Sequence, residues 1–73
     1  MTKPEYTWDG TWHMLRRDGE VVVTLEDEES GGIWKALVAS PQGPVWSTYL
    51  GGYGRAKVVS EEMVRLLWGD PPR

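Results

Sequence analysis

The chain has no cysteine, no phenylalanine and only one histidine among its 73 residues. Without cysteine there is no disulfide framework, no thiolate nucleophile and no Cys-ligated zinc, so the usual staples of a small domain are excluded. That absence fits a reducing compartment, and a cytoplasmic setting is expected, the host cytoplasm if the protein is viral. No apolar segment follows Met1, which argues against a signal peptide. The longest uncharged run, 36–54, contains two prolines and four glycines and does not read as a membrane helix. With phenylalanine missing, the aromatics are five Trp and three Tyr. Each has a polar atom that wants a partner or a wet edge, so some of these rings belong at a boundary.

What is present describes a single small globular domain over 1–73, with 1–5 and 70–73 expected as loose ends. Apolar residues make up 40% and charged residues 26%, an ordinary globular balance. A chain of this size buries only about 60% of the surface its unfolded state exposes, so the core is small. Eight basic against eleven acidic residues give a net charge of −3. The asymmetry is local: Asp18, Glu20, Glu26, Asp27, Glu28 and Glu29 fall between positions 18 and 32 with no base among them.

Two Asp-Gly pairs, Asp9-Gly10 and Asp18-Gly19, separate β-rich runs, and Asp-Gly favours a two-residue hairpin turn because both central residues take positive φ. A turn at Asp18-Gly19 sets Arg17 opposite Glu20, Arg16 opposite Val21, Leu15 opposite Val22 and Met14 opposite Val23. Alternation then sends Trp12, Met14, Val21, Val23 and Leu25 to the core, and His13, Leu15, Arg17, Glu20, Val22 and Thr24 to the other face. The Asp9-Gly10 turn is the weaker signal, since its first arm is only 6–8. Residues 26–32 read as an acidic, glycine-ended loop. A strand follows over 33–39 with Trp34, Ala36 and Val38 inward, then a Pro/Gly turn, then a strand over 45–50. From Arg55 apolar residues recur every three or four positions until Gly69 and Pro71-Pro72, which predicts one amphipathic helix; a shorter helix capped by Ser60 is the competing reading. The expected fold is α+β: an antiparallel meander of about four strands with one C-terminal helix across one face.

A helix covers only one side of such a sheet. The uncovered side is expected to present Leu15, Arg17, Val22, Lys35 and Leu37, with Trp46 or Tyr49, a sticky patch able to take a partner or a second copy as a homodimer. The run Glu26, Asp27, Glu28 and Glu29 does not match the alternating ligands of a calcium loop. It reads either as a solvated loop or as a field that steers a basic protein partner. Gly52, Gly54, Arg55 and Lys57 outline a weak anion site at the helix start, against the plainer reading that glycines turn the chain there. His13 has no cysteine to pair with, and none of Ser40, Ser47 and Ser60 sits in a G-x-S-x-G elbow. No catalytic residue, metal or cofactor is therefore expected, and His13 reads as a solvated strand residue.

Trp34-Lys35-Ala36-Leu37-Val38, Trp46, Tyr49-Leu50-Gly51-Gly52-Tyr53-Gly54 and Ala56 resemble, over about half the chain, the plant AP2-type and integrase N-terminal DNA-binding domains. Those domains pair a Trp-x-Ala strand with a Leu-Gly-x-aromatic turn ahead of a helix. The resemblance implies a sheet-plus-helix fold whose open face meets the DNA major groove; here Arg17 and Lys35 would supply its cations. Because nucleic-acid affinity needs several cations on one face, a non-enzymatic protein-binding module is the preferred expectation and DNA binding the alternative. By analogy of size and charge alone, accessory proteins of phages and mobile elements that inhibit host machinery are the expected company.

Overall fold

The computed structural model describes residues 3–11, 13–28 and 32–72. Five strands, β1 (Tyr6–Asp9), β2 (Met14–Arg17), β3 (Glu20–Glu28), β4 (Ile33–Ala39) and β5 (Val45–Gly51), precede one helix, α1 (Tyr53–Trp68). The strands pair antiparallel in the order β1-β2-β3-β4-β5. The meander thus has five strands rather than about four, because the short run before Asp9-Gly10 does form a paired arm, with Trp8 opposite Leu15.

The Asp18-Gly19 turn forms as its chemistry demands. Asp18 and Gly19 adopt φ of 48° and 87°, and Arg17 faces Glu20 while Arg16 faces Val21. One step further the register shifts: Leu15 faces Val23, and Val22 is an extra residue, a β-bulge. The faces expected for β2 and for Val21 and Val22 are therefore corrected. Leu15 and Val22, expected on the open side, are buried in the core, whereas Met14 and Val21, expected inside, lie on the open side, Val21 38% exposed. Trp12 lies outside the described residues. Val23 and Leu25 are buried as expected, and with Ala36 and Val38 they form the floor on which the helix packs.

The acidic run is corrected as well. Glu26, Asp27 and Glu28 are not loop but the end of β3, opposite Lys35, Trp34 and Ile33. The Glu26–Lys35 pair gives that strand end a favourable cross-strand partner. Glu29 lies outside the described residues.

The long helix is the one that forms. Gly52, at φ 90°, turns the chain out of β5, and Gly69, at φ 83°, ends the helix with its N–H donating to the Arg65 carbonyl at 3.0 Å. Ala56, Ser60 and Val64 recur four apart and are buried against the sheet. Ser60 is therefore mid-helix, not a cap, and its hydroxyl is buried with no hydrogen-bond partner among the described residues. Within the segments expected to be loose, Glu5 and Asp70 are tied to the fold: the Glu5 N–H donates to the Asp18 carboxylate at 2.9 Å, and Arg17 donates to Asp70 at 2.8 Å, while Met1, Thr2 and Arg73 lie outside the described residues. No described helix is long and apolar enough to cross a membrane.

Candidate functional site

Directly opposed residues share a sheet face, so the register defines the side α1 leaves open. It holds Met14, Arg16, Val21, Thr24, Glu26 and Glu28 from β2 and β3, and Ile33, Lys35, Leu37, Val45, Ser47 and Tyr49 from β4 and β5. Ile33, Val45 and Tyr49 are 46%, 59% and 61% exposed. The Lys35 ammonium stands 5.9 Å from the centre of the Tyr49 ring, and the Arg16 guanidinium lies 3.8 Å from Asp9. One end of the face therefore carries Ile33 and Tyr49 among Glu26, Glu28 and Lys35, and the middle carries Leu37.

Of the residues expected to bind a partner, Lys35 and Tyr49 stand on this open face and Glu26 and Glu28 join them, since they point to the same side of β3. Asp27 points to the opposite side, across from Trp34. Trp46, two residues from Thr48 on the helix side, packs against the core. Arg17 is on the helix side too. Its guanidinium binds Asp70, lies 4.8 Å from the centre of the Trp68 ring and donates to the Tyr6 hydroxyl at 3.2 Å. Tyr6 in turn donates to Asp70. The Arg17 hydrogen bond, then that from Tyr6, holds the Asp70 carboxyl below its ordinary range. Burial, then the hydrogen bond to Asp70, pushes the Tyr6 phenol up from 10.0 to about 12. The cluster locks the residues after the helix to β1 and β2; it is a clamp within the fold, not a presented surface.

The residues of the expected anion site are not brought together. The Gly52 N–H donates to the Gly32 carbonyl at 2.8 Å, Gly54 and Arg55 are exposed, and the Lys57 ammonium lies over the Trp8 and Tyr53 rings at 5.0 and 5.6 Å. Gly52 serves the turn, and Gly54 is already in the helix.

One cluster escaped the sequence reading. His13, expected on the outer face, adopts φ 52° and packs with Trp34 and Tyr53, its ring centre 5.1 and 5.0 Å from theirs. Its Nδ1 is 3.0 Å from the Tyr53 hydroxyl, and nearby the Trp8 indole N–H donates to Glu61 at 3.1 Å. His13, Trp34 and Tyr53 are distant in sequence, so periodicity holds no trace of the contact. Here Trp and Tyr satisfy their polar atoms at the border of the core. Among the described residues no group of three or more His, Asp or Glu is placed to hold a metal ion.

No family profile, curated protein or solved structure matches the chain.

Proposed function

We propose that the chain is a non-enzymatic binding module that docks a protein on the open face of its sheet. The observation that supports this is the composition of that face: exposed Ile33, Val45 and Tyr49 around the partly covered Leu37, with Glu26 and Glu28 beside them. Apolar side chains at the centre supply the area that drives association. The two carboxylates, one beside Lys35, set the charge of the partner's margin, which should be basic opposite β3.

The test is capture of a partner from native lysate by wild-type protein and by Leu37→Glu and Tyr49→Ala. Leu37→Glu sets a charge in the middle of the face, and Tyr49→Ala removes its most exposed ring. A protein that wild type retains and both variants lose, while the variants keep the wild-type circular dichroism spectrum, supports the reading. Retention of the same protein by both variants, or recovery only of nuclease-sensitive material, overturns it; the latter outcome favours the DNA-binding alternative.

A further inference from the structure

The two edges of the sheet differ. Edge strand β1 has four residues, follows Pro4 and ends in Asp9, features that discourage pairing with another chain. Edge strand β5 has seven, Val-Trp-Ser-Thr-Tyr-Leu-Gly, without a charge, a proline or a bulge, and no described strand pairs with its outer side. Half of its backbone donors and acceptors therefore face outward along a regular, uncharged strand, which is a template for strand addition.

We propose that β5 pairs antiparallel with β5 of a second copy, joining the two sheets into one about a two-fold axis at Thr48. The strand is self-complementary in the one register that uses its whole length. Thr48 then faces Thr48 of the copy, Trp46 faces Leu50 on the helix side, and Ser47 faces Tyr49 on the open side. Aromatic–aliphatic and Thr–Thr pairs are favourable cross-strand neighbours, and no like charges meet. The ladder also stops where the chain can no longer donate: Pro44 has no N–H, and Gly52 has spent its own on Gly32.

A second observation, on the helix, points the same way. Lys57 and Glu61 contact Trp8 of β1, and Ala56, Ser60 and Val64 face the sheet. At about 100° per residue, the flank of α1 turned away from β1, toward β5, is that of Val59, Met63 and Leu66. Leu66 is 61% exposed. A two-fold axis normal to the sheet keeps both helices on one side, so this apolar flank meets its copy above the seam. The open face used in the proposed function stays free and is doubled in extent.

Because the chain lacks cysteine, single introduced thiols report the register. Wild type should show twice the monomer mass by light scattering at high micromolar concentration and fall to monomer on dilution. Thr48→Cys should form a covalent dimer under mild oxidation, since opposed residues sit about 5 Å apart, within disulfide reach. Val45→Cys, although more exposed, should not, because in this register its copy lies six residues along, about 20 Å away. Leu66→Glu, a change at an exposed position, should keep the fold and raise the dimer dissociation constant tenfold or more; this variant decides the matter if Thr48→Cys does not fold. A monomer at every concentration, crosslinking of Val45→Cys as complete as that of Thr48→Cys, or wild-type association by Leu66→Glu would overturn the proposal.

Discussion

Val21, Val22 and Val23 differ only in where the bulge sets them. Val22 and Val23 are buried, and Val21 is on the open face. Val22→Asp should therefore destabilise by about 3 kcal/mol or more, because it buries an unpaired carboxylate, whereas Val21→Asp should cost about 1 kcal/mol or less. Urea denaturation of the two variants checks the ordering, and an unbroken register would reverse it. Three identical side chains in a row explain why the bulge is invisible in the sequence: alternation cannot say which member of Val-Val-Val is the extra one. The Asp70 clamp has a pH signature. A lowered carboxyl adds stability above the ordinary carboxylate range and loses it as pH falls through the lowered value; a raised phenol adds stability below pH 10 and loses it as pH climbs toward about 12. Asp70→Asn should therefore lower the urea midpoint at neutral pH, and its deficit against wild type should shrink in acid.

Elements with a local signal were legible: the Asp18-Gly19 hairpin turn, the inward Trp34-Ala36-Val38 of β4, and the helix whose apolar period runs to Gly69. Those whose identity depends on a distant partner were not. Glu26, Asp27 and Glu28 look like loop when charge is counted along the chain, and become strand because β4 brings Lys35 and its backbone alongside. The open face was legible in part for the same reason: Lys35 and Tyr49 follow from simple alternation in β4 and β5, while Leu15, Arg17 and Val22 depended on a register that the bulge breaks. In the helix, Ser60 offers a test with a definite sign. Its hydroxyl is buried mid-helix without a partner among the described residues, so Ser60→Ala removes an unsatisfied group, improves helix propensity and should raise stability by about 0.5–1 kcal/mol. A Ser60 that capped a helix would instead cost about 1 kcal/mol on the same replacement. Thermal denaturation decides between them.

For the whole molecule, one helix over five strands leaves one face of the sheet uncovered among the described residues. Glu26 and Glu28, on one side of β3, make their end of that face acidic, two carboxylates to the one Lys35 ammonium, and a basic partner would feel that end before contact. Association kinetics with the captured partner, measured against salt for wild type and for Glu26→Ser/Glu28→Ser, test this most directly. The double replacement leaves Asp27 and the core untouched, so it should fold as wild type does. The expected result is slower association for the variant, with a shallower dependence on salt. Faster or tighter binding once the carboxylates are removed would contradict the account, because it would mean the ligand is itself anionic, as a nucleic acid is.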